Sequence, residues 1–221
     1  MDELKNPKLA IPVVLMAGIF WSFGPYVVRH IDQAHTVPWQ YLFTRGITIF
    51  ILLNLYLFME EGIEFINNYK KIGMSGFIGG CGLASAMITF IWSITSTTAA
   101  ITLLCLAAMP FITALLGFLF LKERISINVW VAIGIAAIGI AIMALGNHEK
   151  NSLTGLVLGL VSAVGFSVFS VSLRWRKETP KFTTVALAGL ICFLASCCVI
   201  VYKDLSFLSS SKNEALFAIH G

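Results

Sequence analysis

The amino-acid sequence predicts an all-α protein, a polytopic transmembrane helix bundle arranged as inverted repeats. Three observations carry that prediction. The chain is 58% hydrophobic and 12% charged over 221 residues, whereas a soluble domain runs about 45–50% apolar and about 25% charged. Its apolar residues come in seven blocks, each close to the roughly 20 residues that a helix needs to cross a bilayer core. The basic residues fall mostly between those blocks, so the net charge of +4 reads as a topology signal rather than a phosphate-binding surface. Disordered, collagen-like and nucleic-acid-binding classes are thereby excluded.

In chain order the expected spans cover residues 9 to 29, 38 to 59, 72 to 94, 98 to 121, 127 to 146, 154 to 174 and 183 to 202. The first contains Trp21, Pro25 and Arg29 where a cleavable leader would carry a small-residue site, so it reads as a retained span. Helical spacing puts its Gly18, Ser22, Tyr26 and Arg29 on one face. The second opens on Pro38 and carries Arg45 several residues inside. The third begins with Gly76, Gly79, Gly80 and Gly82, then shows a polar stripe of Ser85, Thr89, Trp92, Ser93 and Ser96. The fourth has a similar stripe of Thr98, Thr102, Cys105, Met109 and Thr113. Its Pro110 removes an amide donor and frees the Leu106 carbonyl, which predicts a kink able to serve as a hinge. The fifth is marked by Gly134 and Gly139. The sixth places Gly155 and Gly159 in GxxxG spacing, followed by Ala163, Ser167, Ser170 and Arg174 on one face. Beyond the seventh, Leu205 to Glu214 is polar and Ser-rich, and Ala215 to Gly221 looks like the start of another apolar run.

Small residues at these spacings favour close helix packing over a ligand role. Hydroxyl stripes likewise favour bonds to neighbouring helices or to their own backbone, but their convergence from four spans points toward a wet central cavity. All five cysteines lie in apolar runs without CxxC spacing, so a disulfide framework is not expected.

Orientation follows from the loops. One side carries Lys5, Lys8, Lys70, Lys71, Lys122, Arg124, Arg174, Arg176, Lys177 and Lys181, and the other only Arg29, Lys150, Lys203 and Lys212. The N-terminus is therefore expected in the cytoplasm. Spans 1 and 6 align at a constant offset that pairs Leu15 with Leu160, Trp21 with Phe166, Ser22 with Ser167 and Arg29 with Arg174. An odd number of spans separates their starts, so the second unit enters the membrane from the opposite side. That is the layout of an inverted repeat, in which two halves rock about a central site. Chance likeness of two Ser-containing apolar helices is the competing reading.

The run from Ala107 to Gly146 has a proline in span 4, an L-x-E-R turn at Leu121 to Arg124 and a Gly-spaced fifth span. With the aromatic-rich FWSFGPYVVR of span 1 and the TRG of Thr44 to Gly46, it resembles the EamA family of the drug/metabolite transporter superfamily. The resemblance implies ten helices in two inverted five-helix repeats, the second incomplete here: residues 1–146 as a first EamA unit, and 147–221 as the start of a second. It also implies a cell inner-membrane permease for small metabolites such as amino-acid, nucleoside or vitamin-like solutes, with no cofactor. The expected partners are a small-molecule substrate and the lipid bilayer, with no nucleic acid; a homo-oligomer is left open.

Arg45 is the sharpest individual signal, because a charge inside a span costs on the order of 2.5–3.5 kcal/mol on insertion scales and faces a cavity or a partner. It either contacts an anionic or zwitterionic substrate group or snorkels to the nearer interface. The candidate substrate-binding residues are Trp21, Ser22, Tyr26, Arg45, Thr89, Trp92, Thr113 and Ser167, with Pro110 as hinge. Trp21 and Trp92 could stack on a planar solute, although Trp92 near its span end reads more readily as an interfacial aromatic. Glu123 and Arg124 read first as a helix-end anchor and second as a gate. His30, Asp32 and His35 in the first outer loop make a weak metal set, so no metal is expected.

No acidic residue lies mid-span, so the carboxylate of a proton relay is missing from the expected spans. The alternatives are a seven-helix receptor, which the cytoplasmic N-terminus disfavours, and an intramembrane enzyme. Neither HExxH, GxSxG nor paired intramembrane carboxylates occur, so no enzyme activity is expected.

Overall fold

The computed structural model describes Pro12, Leu15, Met16, Gly18, Ile19, Val28, residues 37–145, residues 153–207 and Asn213. The elements formed by these residues are helical. They are α1 (Pro38–Glu61), α2 (Ile66–Lys71), α3 (Gly73–Ser96), α4 (Ala99–Ala107), α5 (Met109–Leu121), α6 (Ile127–Leu145), α7 (Leu153–Trp175) and α8 (Lys181–Tyr202). Five helical stretches among the described residues are long and apolar enough to cross a membrane, and the apolar run of α6 is shorter. Spans 2, 3, 5, 6 and 7 of the sequence correspond to α1, α3, α6, α7 and α8. Of the first span, Val28 is helical and 3% exposed, packed in the core with Tyr41, Leu42 and Ile91.

Two departures have local causes. Span 4 is broken into α4 and α5 at Ala108, whose N–H reaches the Cys105 carbonyl at 3.1 Å while its own carbonyl accepts from Phe111 at 3.0 Å. These are i→i−3 bonds, and the tightening sits where the Pro110 ring would press on an intact helix. After α1, Gly62 turns the chain at φ +60, a conformation glycine adopts without a Cβ clash. A 3-10 turn (Gly62–Phe65) and α2 follow where the sequence suggests only a loop. The fold-back is held by Tyr69, whose hydroxyl donates to Asn54 at 2.7 Å, and by Asn68, whose amide donates to Glu61 at 2.6 Å.

The centre of the bundle is an antiparallel seam between α3 and α7. Along it Gly79 meets Ser172 and Gly82 meets Gly165; at its ends Gly76 meets Thr179, beyond α7, and Thr97, just after α3, meets Gly155. A Cβ on Gly165 would stand 2.6 Å from the Gly82 carbonyl oxygen, and one on Gly82 would stand 3.0 Å from that of Gly165. Only glycine permits that approach. The seam is fastened by Ser162, whose hydroxyl donates to the Ala86 carbonyl at 2.9 Å, and by Ser93, which donates to the Gly155 carbonyl at 2.7 Å. In lipid, where burial of apolar surface gives little drive between helices, close contact and such bonds supply the association.

Helix α8 packs on both α1 and α3, while α4 and α5 pack on α7. At the α1–α8 crossing a Cβ on Gly46 would meet Gly189 O at 2.8 Å and Phe193 N at 2.7 Å; one on Gly189 would meet Gly46 O at 3.0 Å and Phe50 N at 3.2 Å. Each glycine touches its counterpart and the residue four beyond it, the reciprocity of a two-fold contact. Gly134 and Gly139 differ from the glycines of these two contacts. Nothing lies within 4 Å of a Cβ at either, which corrects the expectation that they pack a neighbouring helix. Helix α6 lies at the edge, and its Ile135 and Ile138 are exposed.

Candidate functional site

Near its N-terminal end α1 carries an unusual density of unpaired polar atoms. Arg45 is partly buried, and its Nη1 donates to the Tyr41 hydroxyl one turn away over a long 3.5 Å. Its Nε is buried with no hydrogen-bond partner among the described residues. Tyr41 is 1% exposed. The Trp39 ring lies 5.6 Å from Trp92 of α3 at an interplanar angle of 59°, and the Nε1 atoms of both are buried and unbonded. Gln40 donates to the Ser206 carbonyl at 3.1 Å, but its Oε1 has no partner. A buried donor left unsatisfied costs about 1–3 kcal/mol, more for a charged group, so this region holds capacity that the described chain does not use.

The opposite end gathers the cations Lys70, Lys71, Lys122, Arg124, Arg174, Arg176, Lys177 and Lys181, and is called here the basic end. There α5 closes on Lys122 in the left-handed region, at φ 56, and the Glu123 N–H returns to the Gly117 carbonyl at 3.2 Å. The Lys122 N–H turns to the same carbonyl, so the helix ends on a left-handed cap, a position that glycine usually fills. The turn aims Glu123 back at α7, where its Oε2 is 3.0 Å from Arg174 Nη1, both side chains being about 40% exposed (43% and 41%). Arg174 also donates to the Thr113 carbonyl at 3.4 Å. Gly117 makes room for the pair, since a Cβ there would stand 2.6 Å from Glu123 Oε2 and 2.9 Å from Arg174 Nη2. Beside the pair is a cleft of about 320 Å³ lined by Pro110, Thr113, Ala114, Arg124, Ser126 and Val129 as well.

Membrane-length helices, glycine seams and a charge held inside a span together describe a transport-type bundle, and the comparisons agree. The EamA-like transporter family matches residues 8–145. This chain belongs to that family. It is similar to an uncharacterized transporter of Helicobacter pylori strain J99, 24% identical over 92% of this chain and 67% of that protein. It is also similar to the uncharacterized transporter YojE of Bacillus subtilis strain 168, 27% identical over 81% of this chain and 59% of that protein. The chain thus spans about two thirds, or somewhat less, of the length of the curated relatives it matches.

Within this EamA-family bundle the residues singled out from sequence fall apart into groups. Trp21, Ser22 and Tyr26 lie outside the described residues, as do Arg29, His30, Asp32 and His35. Arg45 and Trp92 belong to the unpaired region, and Trp92 packs on the core against Trp39 instead of sitting free at an interface. Thr89 turns its hydroxyl to the Ser85 carbonyl at 2.8 Å. Ser167 is fully buried and divides its hydroxyl between Ala163 O at 2.8 Å and Met109 O at 3.1 Å, so it ties α7 to the start of α5. Thr113 and Pro110 line the cleft at the basic end. Glu123 pairs across helices with Arg174 rather than with its neighbour Arg124. Trp39, Gln40 and Tyr41 went unmarked in the sequence; the i−4 spacing of Tyr41 from Arg45 was the available signal.

Proposed function

We propose that this multi-pass membrane protein is a permease for small metabolites bearing an anionic or zwitterionic group, of the amino-acid, nucleoside or vitamin-like kind. Solute binds near Arg45 and crosses by alternating access between oppositely inserted units, residues 1–146 and the unit beginning at 147. Binding and release are the whole chemistry, with no covalent step. The membrane is a bacterial inner membrane with the N-terminus in the cytoplasm, a reading supported by the loop cations and the bacterial relatives.

The observation that carries this reading is the buried, unbonded Nε of Arg45 beside the unbonded Trp39 and Trp92 donors. A guanidinium inside a span without a carboxylate partner among the described residues is poised for a ligand carboxylate, which it can bind through two parallel bonds. The reciprocal Gly46–Gly189 contact supports two units related by a pseudo-two-fold axis. The break at Ala108 and the half-exposed Glu123–Arg174 pair give the basic end a contact that can open at small cost. Without a carboxylate for proton relay in the middle of the expected spans, this portion works by facilitation or exchange, or the coupling residues lie in helices outside this sequence.

The test is a metabolite panel scored by thermal stabilisation of the purified full-length protein, followed by uptake of each hit into proteoliposomes. Hits should carry a carboxylate or phosphate, and Arg45→Ala should abolish their effect. Hits that are uncharged, or that stabilise Arg45→Ala as well as the parent, overturn the assignment. Thiol labelling that puts cysteines introduced at Asn6 and His148 on one side of the membrane overturns the inverted arrangement.

A further inference from the structure

A second cavity, of about 430 Å³, lies in the half of the bundle toward the basic end, between α3, α5 and α7. Its walls are Ile78, Leu116, Phe120, Val171 and Trp175. The polar exception, Ser172, turns its hydroxyl to the Phe169 carbonyl at 2.8 Å. Such a lining offers no hydrogen bonds to a polar metabolite and suits hydrocarbon.

The chain just past two of the walls has the opposite character. Two walls end on the last residues of their helices, Leu121 of α5 and Trp175 of α7, and the next residue after each is a cation, Lys122 and Arg176. The Arg176 guanidinium reaches the start of α3, its Nη1 standing 3.0 Å from where a side chain on Gly73 would begin. Among the described residues neither cation has an ion pair or side-chain hydrogen bond. Lys122 also occupies the left-handed position that ends α5, at φ 56, where any residue but glycine is strained. Holding a lysine there at that cost points to work for its charge.

We propose that this groove is a site for an anionic glycerophospholipid, with one acyl chain between α3, α5 and α7 and the phosphate held by Lys122 and Arg176. Basic residues at the mouth of a gap between membrane helices recognise anionic headgroups, and Trp175 sits at the level where indole rings favour the interface. The site is independent of the Arg45 region and of the solute that region binds.

The experiment compares phosphatidylglycerol with phosphatidylcholine of identical chains, added to the purified full-length protein and read by native mass spectrometry and thermal midpoint. Phosphatidylglycerol should be retained preferentially. Each cation near an anionic surface is worth about 1 kcal/mol, roughly fivefold, so Lys122→Gly with Arg176→Gln should lower the preference roughly 25-fold. Lys122→Gly alone should raise the lipid-free midpoint while weakening phosphatidylglycerol, which separates loss of the site from loss of the fold. Ile78→Trp, at a partly exposed wall position, should weaken both lipids by filling the groove. Equal retention of the two lipids, or an undiminished preference in the double variant, overturns the proposal. So does a photo-crosslinker at Leu116 that captures protein and no lipid.

Discussion

Arg45 and Arg174 both project from membrane helices, yet the molecule treats them differently. Arg174 lies in the last turn of α7, half exposed, with a carboxylate at 3.0 Å and a backbone carbonyl at 3.4 Å. Arg45 lies several residues inside α1, with a long contact to a tyrosine and a buried nitrogen that has no hydrogen-bond partner among the described residues. A cation whose partner the chain supplies is a structural link, and at that exposure a weak one. One placed inside a span without such a partner among the described residues is the group to which the proposed function gives the solute, and the same proposal gives the opening and closing of a contact to the Arg174 region.

The sharpest way to break this contrast is Arg45→Ala. Loss of one partner of a desolvated charge pair costs about 2–5 kcal/mol in binding, so solute binding should fall about 30-fold to a few thousandfold. The thermal midpoint without solute should hold or rise, because an unpaired cation leaves the span. A variant that instead unfolds would make Arg45 a structural residue like Arg174. Gly165→Val attacks the seam joining the two ends. Its side chain would meet the Gly82 carbonyl, and overpacking of this kind costs about 1–3 kcal/mol, seen as a lowered midpoint with binding and stability falling together. Survival of the parent midpoint would show the seam to be looser than the 2.6 Å approach implies.

Smaller effects are expected at the basic end. Lys122→Gly relieves the left-handed strain and should add about 1 kcal/mol of stability, measured as a raised midpoint. The Glu123–Arg174 pair should yield the least. A double-mutant cycle with Glu123→Gln and Arg174→Gln is expected to give a coupling of about 0.2–1 kcal/mol, discounted for solvent screening. A coupling well above that range would erase the distinction between the two arginines.

The spans themselves were legible. An expected span of residues 72 to 94 appears as Gly73–Ser96, and one of 154 to 174 as Leu153–Trp175, because insertion depends on the summed apolarity of a stretch and hardly on its neighbours. The Pro110 break was legible for a similar reason, since the missing donor and the ring clash are local. The fold-back of α2 was not, since it depends on Asn54 lying within reach of Tyr69 fifteen residues on.

Glycine shows the limit most clearly. Gly155 and Gly159 pack tightly against Thr97, Ser93 and Cys105, whereas Gly134 and Gly139 face open space, although the sequence marks both pairs as small residues for close packing. Of the candidate site, Arg45 announced itself through the cost of a charge in hydrocarbon, while Ser167 carried the same hydroxyl signal and turned out to be bonded to backbone. The sequence by itself determined which segments enter the membrane and where a charge and a proline are anomalous, because those energies are set residue by residue. Which helix faces which was decided only in three dimensions. Whether a small residue is a contact, a hydroxyl is free or a cation is paired depends on what stands opposite, and that is a property of the packed bundle.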